Sequence, residues 1–140
     1  MCIRDSHEFP ITTDPGKYYS QNLLDQSGVA ILVPNQYKNT WQVGLHQGKY
    51  EALVQRKPVK VYRDKNKDSI YDLNAETINT GLFGINIHRS NSNGTSQVVG
   101  KWSAGCQVFQ SPQDFNIFMN ICKKSQKIWG NSFTYTLIEL

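Results

Sequence analysis

The chain alternates short apolar stretches with polar turns, a pattern that predicts a succession of β-strands. Period-two alternation is typical of a half-buried strand, and a short continuous apolar run is typical of a buried one. Residues His46 to Lys49 have the composition of a hairpin connection. We predict strands at residues 28–33, 40–46, 50–55, 59–62, 83–88 and 133–138.

One segment has the period of a helix instead. Ser111 is suited to the N-cap, Pro112 to the first helical position, and Asp114 to the positive end of the helix dipole. Gly130 is suited to end the helix. The apolar positions between these ends recur every three or four residues and predict one buried face: Phe115, Phe118, Met119 and Cys122.

These elements predict a mainly β domain, a sandwich or partly closed barrel, with the helix against one side. The 140 residues suit a single domain. The first six residues, MCIRDS, resemble the translation of a transposon-end adapter used in sequencing libraries. We interpret them as an artefact preceding a domain at 7–140, and we expect the native start to be missing.

Charge and composition exclude several classes of protein. The net charge is +4, but the basic residues are scattered, so a solvated basic surface is favoured over nucleic-acid binding. The sequence has no apolar run of about 20 residues that would span a membrane. Asp64, Asn66 and Asp68 have the spacing of a calcium loop, but Ser69 and Ala75 do not fit its later positions. A polar hairpin is the favoured interpretation.

The candidate chemistry lies between residues 85 and 109. His88 ends the predicted strand at 83–88, on the face opposite to its apolar residues, and a loop rich in Ser, Asn and Gly follows. Cys106 comes directly after Gly105, which permits a tight turn with backbone N–H groups free to bind an oxyanion. A thiol attacks as thiolate, and a nearby imidazole can generate it. Either residue alone would more often be structural.

A histidine at a strand end, followed 18 positions later by the cysteine of Ser-x-Gly-Cys, resembles the active-site signature of the L,D-transpeptidase (YkuD-like) catalytic domain. That family remodels peptidoglycan. The resemblance implies that Cys106 is the acylated nucleophile, that His88 is its general base, and that Ser103 and Gly105 are motif positions. It further implies an oxyanion hole around Gly105 and Cys106, a histidine oriented by a backbone carbonyl, and a β-sandwich with the cysteine in a cleft.

The sequence departs from the family motif at two positions. Ala104 replaces a histidine, and Val108 stands where Arg or Asn is expected. The nucleophile and base remain, so these departures bear on substrate recognition and on whether transfer or hydrolysis dominates. Trp102 is a candidate wall of the substrate groove, although a tryptophan is more often a packing residue.

We assign substrate-binding roles to Asn86, Arg89 and His46 as well. The resemblance implies a monomer that needs no cofactor and works in the cell envelope or outside the cell, on peptidoglycan stem peptides. Two alternatives stay open. If His46 approached His88 and Cys106, a zinc site would be conceivable, although no short ligand motif supports it. A wall-binding or virion-associated module without turnover is the other.

Overall fold

The computed structural model describes residues 6–13, 29–64, 75–90 and 105–139. In this part of the chain, nine strands form two sheets, accompanied by one α-helix and a short 3-10 helix at Ala75–Thr77. The strands and the helix are β1 (Ile11–Thr12), β2 (Val29–Leu32), β3 (Asn35–His46), β4 (Tyr50–Gln55), β5 (Val59–Asp64), β6 (Asn79–Gly81), β7 (Ile87–Arg89), β8 (Gln107–Phe109), α1 (Pro112–Trp129) and β9 (Phe133–Leu137).

The larger sheet has six strands in the order β1-β8-β7-β4-β3-β9, and the smaller has three in the order β2-β5-β6. Neighbouring strands are antiparallel except β7 and β8, which are parallel. The predicted mainly β fold with a single helix after Cys106 is therefore confirmed for the described residues. The predicted sandwich implies two sheets, but the sequence does not predict which strands belong to each sheet, because that assignment depends on long-range pairing.

The helix begins and ends where its capping residues predict. Ser111 has extended backbone angles, and its hydroxyl oxygen accepts the backbone N–H of Asp114 at 3.3 Å. At the other end, Gly130 has φ +95° and donates its N–H to the carbonyl of Gln126. Of the four residues predicted on the apolar face, all but Phe118 are fully buried, and Phe118 packs partly buried on the core.

One hydrophobic core contains side chains from the helix and from both sheets. Helix α1 packs on β3, β7 and β8, and aromatic rings fill much of this contact. Phe109 lies 4.8 Å from Phe118 and 5.6 Å from Phe115, measured between ring centroids. Trp41 is completely buried, with the rings of Tyr37 and Tyr135 edge-on to it. This apolar contact fixes the strands that carry the candidate site.

Most of the predicted strands are present with shifted ends. Strand β4 has the predicted bounds, whereas β3 starts five residues before the predicted residue 40. The early part of β3 pairs with β9, and the register shifts between Tyr37 and Trp41. Asn39 in this interval has φ +53°, which is typical of a bulge. The polar residues of this segment therefore form an edge pairing that periodicity alone does not indicate.

The predicted strand at 83–88 is wrong over most of its length, because only its last two residues lie in β7. Gly84 has φ +68°, a left-handed conformation that interrupts the extended chain. The backbone N–H groups of Phe83 and Ile85 donate to the side chain of Gln55 in β4, and the Ile85 carbonyl oxygen accepts from Trp41 in β3. The Asn86 carbonyl oxygen accepts a backbone N–H, that of Gln107 in β8. Ile85 is still buried, as the alternation predicts.

Some predictions fall outside the described residues: the first five residues of the artefact predicted at 1–6, the calcium-like loop with the side chains of Asp64, Asn66 and Asp68, and the segment containing Trp102, Ser103 and Ala104. Helix α1, the longest helix of the described ranges, is too polar to cross a bilayer, and no other helix there has the necessary length and apolarity.

Candidate active site

Four strands bring the candidate residues together. His46 ends β3 and pairs with Tyr50 at the start of β4, across the predicted hairpin. Strand β4 pairs with β7, which carries His88, and β7 pairs in parallel with β8, which begins one residue after Cys106. The parallel pairing of Ile87 with Gln107 thus places the histidine strand beside the cysteine turn. His88 itself pairs with Val108, so Cys106 lies two residues before the sheet partner of the histidine.

The proton of His88 can be assigned from its hydrogen bonds. The Nδ1 atom lies 2.8 Å from the carbonyl oxygen of Arg89, and a carbonyl can only accept, so Nδ1 carries the proton. The Tyr50 hydroxyl donates to the same carbonyl at 3.2 Å, and its oxygen is 3.3 Å from Nδ1. Nε2 therefore keeps its lone pair, as a general base requires. Within the described residues, this buried Nε2 has no hydrogen-bond partner.

The environment of His88 favours the neutral ring. The side chain is 2% exposed, and burial is the main reason its pKa falls to about 4. Positive charge on His46 and Arg89 lowers the pKa further, while the hydrogen bond to the Arg89 carbonyl opposes the change. His88 is consequently neutral at physiological pH and is able to accept a proton, although as a weak base.

His46 is stacked on His88, with ring centroids 4.1 Å apart and planes 17° from parallel. Its Nδ1 lies 3.0 Å from the Nδ2 of Asn86, which can only donate, so the proton of neutral His46 sits on Nε2. Burial and the charge of Lys49 lower the pKa of His46 as well. The zinc alternative requires His46, His88 and Cys106 to converge. The two imidazoles are stacked, but the described residues contain no cluster of three or more metal-binding side chains.

Cys106 lies over the backbone of residues 84–86. Its Sγ is 3.4 Å from the carbonyl oxygen of Gly84 and 3.5 Å from the backbone nitrogen of Asn86. As a thiol, the sulfur donates to the carbonyl, and as a thiolate it accepts the N–H of Asn86. The side chain is half-buried and forms no disulfide with Cys122. The sulfur is therefore accessible and has a backbone donor beside it.

Glycine at position 105 has a structural reason. Gly105 has φ +138° and is buried, and a Cβ there would collide with the backbone carbonyl of Ala30 in β2. Even the Ala30 carbonyl carbon and Cβ would lie at 3.0 Å. The turn before Cys106 is thus seated on the smaller sheet, so both sheets position the sulfur.

Tyr50 and Arg89 complete the described site. The guanidinium carbon of Arg89 lies 4.2 Å from the centre of the Tyr50 ring, a cation–π contact. Burial raises the pKa of Tyr50, the charge of Arg89 and the hydrogen bond to its carbonyl oppose this change, and the charge of Cys106 adds slightly to it. Sequence reasoning missed Tyr50, although its place directly after the predicted hairpin would have put it opposite His46.

The position of Val108 accounts for one departure from the family motif. Val108 is 1% exposed and pairs with His88 across the parallel strands. An Arg or Asn at this buried position would need polar partners, whereas valine packs without them. A chain of contacts links Cys106 to Asn86, Asn86 to His46, His46 to His88 and His88 to Arg89. Nε2 of His88 makes no hydrogen bond to the sulfur of Cys106.

Comparisons of the chain with protein-family models, curated proteins and solved structures find no match. The resemblance to the L,D-transpeptidase motif therefore rests on the quoted residues alone, and the activity is a proposal.

Proposed function

We propose that this protein is a cysteine-dependent acyltransferase of the L,D-transpeptidase type, acting on peptidoglycan stem peptides. The observation that carries the proposal is the hydrogen bond from His88 Nδ1 to a main-chain carbonyl, which leaves Nε2 as the basic atom. The histidine lies on the strand beside the cysteine turn. This arrangement provides a nucleophile and an oriented base without an acidic side chain.

In the proposed reaction, the thiol proton of Cys106 passes to Nε2 of His88 as the sulfur attacks a peptide carbonyl carbon. A base with a pKa of about 4 gives little driving force, so proton transfer accompanies the attack. The new S–C bond gives a tetrahedral oxyanion, and backbone N–H groups stabilise it. The C–N bond then breaks, the leaving amine takes the proton from His88, and a thioester remains.

The thioester has two fates. Attack by an amine of a second stem peptide regenerates the thiol and forms a cross-link, whereas attack by water releases a carboxylate. The first is transpeptidation and the second is carboxypeptidase or endopeptidase activity. Either reaction places the protein at the cell wall, in the envelope or outside the cell.

One observation favours a second candidate, a wall-binding or virion-associated module without turnover. The described part of the structure gives His88 Nε2 no hydrogen bond, and burial keeps its pKa low. Such a histidine is also compatible with a structural role. The two candidates differ in whether Cys106 is more reactive than an ordinary thiol.

The test is intact-mass analysis after incubation with a carbapenem, a reagent that acylates cysteines of this family. We expect one adduct on the parent protein, none on Cys106→Ala, and slow formation on His88→Gln. The matched control is Cys122→Ala, which removes the buried thiol and is expected to leave the adduct unchanged.

A parent protein without adduct, with Cys106 alkylated no faster than an unstructured cysteine, would contradict the acyltransferase. The wall-binding module then predicts that the protein sediments with insoluble peptidoglycan and that Cys106→Ala sediments equally well. If an acyltransferase bound peptidoglycan only through its thioester, the Cys106→Ala variant would no longer sediment with it.

A further inference from the structure

The segment at residues 82–86 is not a strand, yet its position decides what surrounds the sulfur of Cys106. It lies between β6 and β7 in the chain and belongs to neither strand. Ile85 within it is 2% exposed, so its backbone groups need partners other than water. Side chains of the neighbouring strands β3 and β4 bond the backbone of Phe83 and Ile85, and the Asn86 carbonyl oxygen accepts the Gln107 N–H of β8 at 2.9 Å.

Gln55, the last residue of β4, supplies most of these partners. Its Oε1 accepts the backbone N–H groups of Phe83 at 3.3 Å and Ile85 at 2.9 Å. Its Nε2 donates to the carbonyl oxygens of Gly81 at 3.0 Å and Lys57 at 2.8 Å. The side-chain amide is 7% exposed and uses both donors and both acceptor sites.

Two further bonds fix the same segment. Trp41 donates its Nε1–H to the Ile85 carbonyl oxygen at 2.7 Å, from the neighbouring strand β3. The backbone N–H of Gln55 donates to the Asn86 side-chain oxygen at 3.1 Å. The peptide of Ile85 is therefore held at its N–H by one side chain and at its C=O by another.

This fixed segment presents the two backbone groups that contact Cys106, the carbonyl of Gly84 and the N–H of Asn86. We propose that Gln55 is a positioning residue for the nucleophile: its amide holds the backbone at 82–86 so that the Asn86 N–H points at Sγ and stabilises the thiolate. Gln55 does not touch the sulfur in this proposal. The inference deepens the proposed function, because it assigns the residue that prepares the same thiol for attack.

The test variant is Gln55→Met, which preserves length and removes all four side-chain hydrogen bonds. Loss of one N–H donor to a thiolate is expected to raise the apparent pKa of Cys106 by about one unit. At pH values below the pKa, the fraction of Cys106 present as thiolate then decreases about tenfold. Because a more basic thiolate is also more nucleophilic, alkylation at neutral pH is expected to slow only about threefold.

The measurement is the rate of iodoacetamide alkylation at Cys106 against pH, followed by peptide mass spectrometry, which separates this thiol from the other cysteines. The matched control is Met119→Ala in helix α1, a buried substitution that destabilises the protein and removes none of the hydrogen bonds of Gln55. We expect the control to lower stability and to leave the apparent pKa of Cys106 unchanged.

An apparent pKa in Gln55→Met equal to that of the parent would overturn the proposal, as would an equal increase in Met119→Ala. If Gln55→Met fails to fold, Trp41→Phe is the second test of the proposal, because it removes the hydrogen bond to the Ile85 carbonyl oxygen. An increase in its Cys106 pKa supports the proposal, and an unchanged value overturns it.

The outcome is separable from that of the proposed function. Alkylation measures the thiol and needs neither substrate nor turnover. A changed Cys106 pKa without carbapenem adduct would leave Gln55 as a positioning residue in a protein that is not an acyltransferase. An adduct with no change in Gln55→Met would retain the enzyme and reject the role of Gln55.

Discussion

Burial of the His88 ring has a measurable effect on the pH dependence of stability. The pKa of His88 is about 4 in the folded protein, against 6.5 for an exposed histidine. Between these values the unfolded chain binds a proton that the native state does not, so the free energy of unfolding decreases as pH falls through this window. The full difference corresponds to about 3 kcal/mol, of which about 2 kcal/mol is lost between pH 7.5 and pH 5.

The side chains around His88 also favour its neutral form. His46 on β3 has a lowered pKa as well, and the cationic Arg89 on β7 also disfavours the imidazolium form. Tyr50 on β4 is uncharged in this range, because burial raises the pKa of its phenol. None of these neighbours is an acidic side chain that would stabilise the positive charge of a protonated His88.

The assay is urea unfolding followed by tryptophan fluorescence at pH 7.5 and pH 5. For a protein of this size, 2 kcal/mol moves the midpoint by about 1 M. We expect His88→Gln to lose most of this pH dependence and the control His7→Gln, at an exposed position, to retain it. An unchanged pH dependence in His88→Gln would refute the reasoning from burial.

Three further predictions concern glycine, thiol and cap positions. Gly105→Ala is expected to lower the free energy of unfolding by about 2–4 kcal/mol, measured by urea unfolding, because the added Cβ collides with β2. The control Gly48→Ala has open space at its Cβ and is expected to cost about 1 kcal/mol. Equal costs in the two variants would contradict the collision. Burial raises the pKa of Cys122 to about 12, so peptide mapping should find it alkylated only after unfolding, unlike Cys106. Ser111→Ala removes the N-cap and should lower stability by about 1 kcal/mol, measured by thermal unfolding; a neutral effect would contradict the cap.

Sequence predicts the locally determined parts of this fold best. The helix is bounded by Ser111 and Gly130, whose capping depends on residues within one turn. The hairpin between β3 and β4 was predicted for the same reason. The parallel pairing of β7 with β8 and the assignment of strands to the two sheets depend on residues far apart in sequence, so no local pattern predicts them.

The segment at 83–88 shows why alternation can mislead. Ile85 and Ile87 are buried at alternate positions, as in a strand, but Gln55 replaces the neighbouring strand as the hydrogen-bond partner. A side chain thirty positions away cannot be inferred from period-two hydrophobicity. The alternation correctly predicted burial and incorrectly predicted the ladder.

The candidate site was predictable to the extent that residue type and spacing indicate chemistry. Residue type and spacing indicate Cys106 and His88, and the structure places the strand of His88 beside the strand that begins one residue after Cys106. The stacking of His46 on His88 and the proximity of Tyr50 depend on strand register, which spacing does not contain. Whether the thiol is activated stays a prediction.

The parallel pairing of β7 with β8 constrains how this chain can change. A hairpin can join antiparallel neighbours through two residues, but parallel neighbours require a crossover of about a dozen residues or more. The interval between His88 and Cys106 therefore has a minimum length imposed by topology. Above that minimum, lengthening is inexpensive, since doubling a flexible loop costs only about 0.6 kcal/mol. Insertions between Ser90 and Gly105 are therefore expected to leave the register of β7 and β8 intact.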